Sequence, residues 1–90
     1  MTIAVLRKVD NESVASILRE VEKSLKRAQG ELIIDFSSVA RLDGVALSSL
    51  AEFASKADTA SVKVILRGVN VDVFKVLVLM KLNSRFSFVN

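Results

Sequence analysis

Residues 31–50 read ELIIDFSSVARLDGVALSSL, and this stretch decides the fold class. Leu32, Ile33 and Ile34 form an unbroken apolar run inside a short segment, Glu31 to Phe36. Such a run suits a β-strand buried on both faces, as in a parallel sheet covered by helices. Ser37 to Asp43 is a connection that carries two further apolar residues, Val39 and Leu42. Asp43 then stands where a helix cap is wanted, with a side-chain oxygen able to accept from a free amide of the first turn. The helix it opens runs to about Lys56, and its apolar set is Ala46, Leu47, Leu50, Ala51, Phe53, Ala54 and Ala57. The alanines let that helix lie close on a sheet. A buried strand, a short connection and a helix make one βα unit.

The flanks repeat the unit. Thr2 to Val9 is rich in Ile, Val and Leu and reads as a first strand. Asp10 and Asn11 are candidate caps, with Glu12 where the helix dipole favours a negative charge. Val14, Ile17, Leu18, Val21, Leu25 and Ala28 then recur at the spacing of one helix face, and Gly30 ends that helix. Downstream, Val62 to Leu66 reads as a third strand, stopped by Arg67 and Gly68. Asn70 caps a third helix, Val71 to Leu82, and Phe86 to Val89 is a last short strand. The order β-α-β-α-β-α-β, with short connections, predicts an α/β domain with a mostly parallel four-stranded sheet. Residues 1–90 are expected to form a single domain, the length lying within the ordinary range for one.

The third helix departs from the amphipathic pattern. Val71, Val73, Phe74, Val76, Leu77, Val78, Leu79, Met80 and Leu82 wrap most of its circumference, and only Asp72, Lys75 and Lys81 are charged. A helix apolar all round is either enclosed or covered by a partner. Val76 and Leu79, beside the stripe of Asp72 and Lys75, are expected to be exposed. They are covered by the neighbouring helix or the C-terminal residues, or they form a protein-binding patch.

Composition narrows the chemistry. The chain has no cysteine and no histidine, which removes thiolate chemistry, disulfides and serine–histidine catalysis. No nucleophile–base pair and no phosphate-cradling glycine loop is visible, so neither enzyme activity, nor a cofactor, nor a metal is expected. Thirteen basic and ten acidic residues alternate along the chain, giving a net charge of +3 without a basic block. The five aromatics are all Phe in apolar settings rather than stacking platforms, which speaks against nucleic acid. Arg7 and Lys8 interrupt the first apolar run, so no signal peptide is expected, and no run approaches the ~20 residues of a membrane span. A cytoplasmic domain fits these features.

Ile34-Asp35-Phe36-Ser37-Ser38-Val39, followed by Leu42-Asp43-Gly44-Val45-Ala46-Leu47 and Leu50, resembles the signature of STAS domains. Val64-Ile65-Leu66-Arg67-Gly68-Val69-Asn70, ahead of an apolar helix, is similar to that family's third strand and turn. The family includes bacterial anti-sigma factor antagonists, the cytoplasmic tails of sulfate transporters, and a small subunit of the ABC system that maintains outer-membrane lipid asymmetry. Val39-Ala40-Arg41-Leu42-Asp43 and Gly68-Val69-Asn70 look most like the last of these. The resemblance implies a non-enzymatic domain that binds other proteins. One departure is informative. Where the family usually carries the Ser or Thr that a partner kinase phosphorylates, this chain has Gly44. Glycine accepts no phosphate, so the resemblance favours constitutive binding over a switch.

Two functions follow from the resemblance, an accessory subunit of a lipid-transport ABC ATPase and an anti-sigma factor antagonist that binds an anti-sigma kinase. The partner-binding residues expected are Asp43, Gly44, Leu47 and Ser48 on the second helix, with Val76 and Leu79 on the third. Each also has a plainer role. Asp43 is sufficient as a cap worth ~1 kcal/mol. Asp35, Ser37 and Ser38 suit turn chemistry after a strand. Gly44 either eases the helix start or permits close approach of a partner.

Overall fold

The computed structural model describes residues 3–23, 25 and 30–89. Its elements are β1 (Ile3–Asp10), α1 (Val14–Glu22), β2 (Gly30–Ser38), α2 (Gly44–Thr59), β3 (Lys63–Arg67), α3 (Val71–Leu79), a 3-10 turn (Asn83–Arg85) and β4 (Ser87–Val89). The four strands lie side by side in chain order, all parallel, with Leu32 opposite Val64 and Val5. The expected α/β order is therefore the observed one.

Chain order in a parallel sheet has a consequence for layering. Crossovers of a single hand that always step in the same direction bring every helix to the same face. Accordingly Leu32, Ile34 and Phe36 of β2 and Val64 and Leu66 of β3 join all three helices in one continuous core. The intervening residues behave differently, since Ile33 and Asp35 are only half-buried. The expectation that β2 is enclosed on both faces is thus corrected. Its consecutive apolar residues serve a well-covered face and a partly covered one.

The helix ends follow from local hydrogen bonding. Asp10 does not cap α1 directly. Its carboxylate accepts from the amides of Glu12 and Ser13, both at 3.0 Å, and holds a turn that delivers the chain to Val14. Hydrogen bonding with Ser13 and with the Glu12 amide lowers the Asp10 pKa. Asn11 is likewise not a cap, because it reaches across to the loop after β2. The regular helix stops at Glu22, short of the expected Ala28, and Leu25 is buried beyond it. Ala28 itself lies outside the described residues.

α3 ends at Leu79 rather than Leu82. Lys81 adopts a left-handed backbone conformation (φ 59°), and the Leu82 amide reaches back to the Leu77 carbonyl at 2.8 Å. This is a Schellman-type stop in which Leu82 turns into the core. α2 ends the same way, with Ser61 left-handed (φ 57°) and the Val62 amide on the Ala57 carbonyl. Glycine usually marks such positions, and its absence explains why the α3 boundary was misplaced.

Ion pairs join neighbouring elements at the surface. Lys56 of α2 bridges to Glu22 at the end of α1 and to Glu52 one turn back, at 3.1 and 3.2 Å. Arg85 of the 3-10 turn meets Asp58 of α2 at 2.6 Å. Pairs this exposed are worth at most ~1 kcal/mol each, so the apolar core carries the fold.

Gly68 and Gly44 have opposite standing. Gly68 is left-handed (φ 71°), and a Cβ placed there would meet the Ser37 Cβ at 2.9 Å. Its amide also donates to the Val89 carbonyl, fixing the β3–α3 turn against β4. Gly44 would present a Cβ to open space and has no positive φ. Gly68→Ala should therefore destabilise by about 1–3 kcal/mol. Gly44→Ala should be neutral or stabilise by up to about 1 kcal/mol. Urea midpoints of the two variants check both signs.

Candidate functional site

The loop Val39–Asp43 is shaped by side chains from two other parts of the chain. On one side the Asn11 Oδ1 accepts from the amides of Ala40 (2.6 Å) and Arg41 (3.4 Å). On the other, the Asn70 Nδ2 donates to the carbonyls of Val39 (3.2 Å) and Ala40 (3.1 Å). The Asn70 Oδ1 meanwhile caps α3 by accepting from the Val73 amide at 2.8 Å. One amide side chain thus terminates a helix and pins a loop about thirty residues away in sequence. Val39 is buried and Leu42 half-buried against the core, so the loop is anchored from beneath as well.

The result is a rigid approach to the N-terminus of α2. Asp43 caps that helix, its Oδ1 accepting from the Ala46 amide at 2.8 Å. Gly44 and Val45 follow on the outer surface, and Val45 is 65% exposed. Ala46 turns inward, and Ser48 comes back to the surface one turn later. Asp43, Gly44, Val45 and Ser48 border an open depression that Arg19 of α1 and Glu52 of α2 close on the far side. The depression is shallow and charged of both signs.

Of the expected partner-binding residues, Asp43, Gly44 and Ser48 come together here. Leu47 does not share that surface, because it is half-buried and packs against the core. Val76 is also corrected, being half-buried rather than exposed. At about 100° per residue it falls beside Val73 and Leu77 on the inward arc of α3. Leu79 meets the expectation at 80% exposed, but it borders a separate apolar groove with Phe74, Lys75 and Val78. Val45 and Arg19 were missed. Val45 was legible in principle, since at about 100° per residue it falls well away from the arc shared by Ala46, Leu50, Phe53 and Ala57. Arg19 lies on a different helix, and nothing local to it indicates the neighbourhood of Asp43.

The other acidic and hydroxyl candidates take turn roles. The Asp35 Oδ1 accepts from the Ser37 amide at 2.8 Å, and Ser37 lies against Gly68. Among the described residues no three metal-capable side chains gather. No helix among them is long and apolar enough to cross a membrane.

The model of the STAS domain family matches residues 1–90. The chain belongs to the STAS family. Solved structures agree on the fold at low sequence identity. A sulfate transporter family protein from Wolinella succinogenes superposes with a TM-score of 0.78 at 17% identity, over 94% of this chain and 75% of that one. A candidate anti-sigma factor antagonist from Thermotoga maritima gives 0.77 at 18% identity, over 97% and 79%. The anti-sigma factor antagonist SpoIIAA, in its unphosphorylated form, gives 0.68 at 15% identity, over 97% and 76%. Among curated proteins, none matches this sequence. Within this STAS domain, position 44 is the first residue of α2, directly after the Asp43 cap.

The double role of Asn70 makes a separable prediction. Asn70→Ser retains a cap acceptor but cannot reach the loop, and should cost about 1 kcal/mol. Asn70→Ala removes both functions and should cost about 1–3 kcal/mol. Urea denaturation of the pair reads the difference: equal losses would assign the whole effect to the loop bonds, and an unchanged Asn70→Ser would assign it to the cap.

Proposed function

We propose that this STAS domain is a non-enzymatic, constitutive protein-binding module, and that it serves as an accessory subunit of a lipid-transport ABC ATPase. The observation that carries the reading is the surface around Gly44. The family's phosphoacceptor position is a glycine whose backbone does not require glycine and whose surroundings would admit a side chain. A phosphate at this helix N-terminus would be favoured by its amides yet would repel an acidic partner. With Gly44 that means of release is absent at this position. The Asp43 carboxylate is engaged as the cap. What the tip offers a partner is therefore bare backbone, the exposed Val45 and the hydroxyl of Ser48.

Two stretches support the lipid-transport assignment. Val39–Asp43 and Gly68–Asn70, which look most like the small ABC subunit, are joined to each other by the Asn70 amide. The likeness thus falls on a single local structure rather than on two scattered segments. In this reading the domain works in the cytoplasm, held beside the inner membrane by the transporter. The second reading, an antagonist of an anti-sigma kinase, draws support from the fold shared with SpoIIAA. Gly44 weighs against it, because that role depends on reversible release.

Tagged protein purified from its own organism distinguishes the two. An ABC ATPase with its permease among the co-purifying chains is expected, and a histidine-kinase-like anti-sigma factor in their place would overturn the assignment. Val45→Asp is the matching variant. Leu47→Asp would bury a charge against the core, whereas Val45 is exposed and its replacement leaves the fold intact. Val45→Asp should lower partner recovery about tenfold with an unchanged circular dichroism spectrum. Full recovery would remove the α2 tip from the interface.

A further inference from the structure

Among the described residues, five of the seven exposed large apolar side chains fall within one ten-residue stretch: Val71, Phe74, Val78, Leu79 and Met80. On α3 only Val73 and Leu77 are fully buried. At about 100° per residue, Val71, Lys75 and Val78 follow one another along the solvent crest, with Phe74 on one flank and Leu79 on the other. Phe74 also borders a second hollow with Val69, Val71, Phe88 and Val89, and its ring meets that of Phe88 edge-to-face at 5.1 Å. The apolar surface is thus continuous from the outer strand β4 across the crest of α3.

Charge decides what fits there. Lys75 lies in the middle of the crest, and Lys81 stands just past the helix end. Neither takes part in an ion pair among the described residues. A second copy placed on this face by a two-fold axis near the crest would bring the two Lys75 ammonium groups together, and like charges so placed disfavour association. A lipid surface is poorly matched as well. The helix has nine residues with a single lysine, Lys75, and carries Asp72 on its first turn, where an anionic membrane would repel it.

We infer that the α3–β4 face receives an amphipathic helix of a protein partner, with an apolar stripe that carries a carboxylate opposite Lys75. Phe74 with Val78 and Lys75 with Leu79 form two neighbouring i, i+4 rows of α3 that border the hollow, and a groove between such rows is where the ridge of a second helix seats. The Lys75–carboxylate pair, enclosed by apolar contacts, fixes the register of the incoming helix. The inference rests on the reading of this chain as a protein-binding module, and it adds a second surface to the α2 tip.

A displayed library of amphipathic helical peptides, with the residues of the apolar stripe randomised, tests the inference when selected on the immobilised chain. The recovered peptides should be enriched in Asp or Glu within the stripe. They should bind the Leu79→Asp chain at least about tenfold more weakly, and the Lys75→Glu chain should instead select peptides with Lys or Arg at the same place. Leu79 is 80% exposed, so its replacement leaves the core unchanged, which circular dichroism verifies. Peptides without acidic enrichment, peptides indifferent to Leu79→Asp, or no peptides at all would overturn the inference. So would Leu79-dependent dimerisation in sedimentation velocity, or Leu79-dependent sedimentation with phosphatidylserine vesicles. A native partner lost on Val45→Asp but retained on Leu79→Asp would keep the functional reading and remove this face from it.

Discussion

The Asn70 carboxamide is the contact on which the arrangement of the site depends. Its oxygen satisfies the Val73 amide at the start of α3, and its nitrogen satisfies two carbonyls of the loop before α2. Loops in α/β folds carry unpaired backbone groups that need partners if the loop is to hold one shape. Here two asparagines supply those partners from opposite sides, Asn11 to the loop amides and Asn70 to its carbonyls. The consequence is positional. Asp43 reaches the α2 N-terminus from a loop held at both its donors and its acceptors, so Gly44 and Val45 are presented on a preorganised edge. A partner binding there does not have to order the loop, and the entropic cost of association falls accordingly.

Much of this was legible from the sequence, and the reason differs by level. Strand and helix order follows from the apolar periods and from Asp43 and Asn70, whose capping roles are local and depend on residues three positions away. The non-local half of the Asn70 function was not legible. A carboxamide that caps one helix gives no sign that its nitrogen reaches a loop at residues 39 and 40. Asn11 illustrates the same limit, because it stood where a cap is expected and was spent on a distant segment instead. The partial burial of Val76 has a different origin. A helix apolar on nearly every side has no periodic signal to show which arc faces the sheet.

The two glycines show how a family motif and physical necessity separate. Gly68 is held by sterics, with positive φ and with Ser37 occupying the space a Cβ would need. Its presence says that β2 and the β3–α3 turn approach closely, and it needs no functional explanation. Gly44 has no such constraint, with ordinary φ and open space around it. An unconstrained glycine at a helix start forgoes the conformational restriction that a side chain would give the unfolded chain. That loss is small, and no packing requirement among the described residues accounts for it, which leaves room for an explanation outside the chain. A partner that approaches the bare backbone at the α2 tip would supply one.

The same reasoning distinguishes the two exposed regions. The α2 tip is polar around its rim, with Arg19 and Glu52 facing it across the depression, and its apolar contribution is mainly Val45. The α3–β4 face is apolar with a lysine at its centre. Surfaces of the first kind confer specificity through complementary polar contacts, and those of the second contribute most of the buried apolar area. In a domain of this size, apolar residues placed on the outer crest of a helix cannot be enclosed by the chain itself, and leaving them in water promotes aggregation. Their concentration on one helix, while the rest of the described surface exposes only Val45 and Val89 among large apolar residues, means the cost is confined to a single place. A partner that covers this face would therefore stabilise the domain while it binds. Such binding would couple the affinity of a complex to the solubility of this chain.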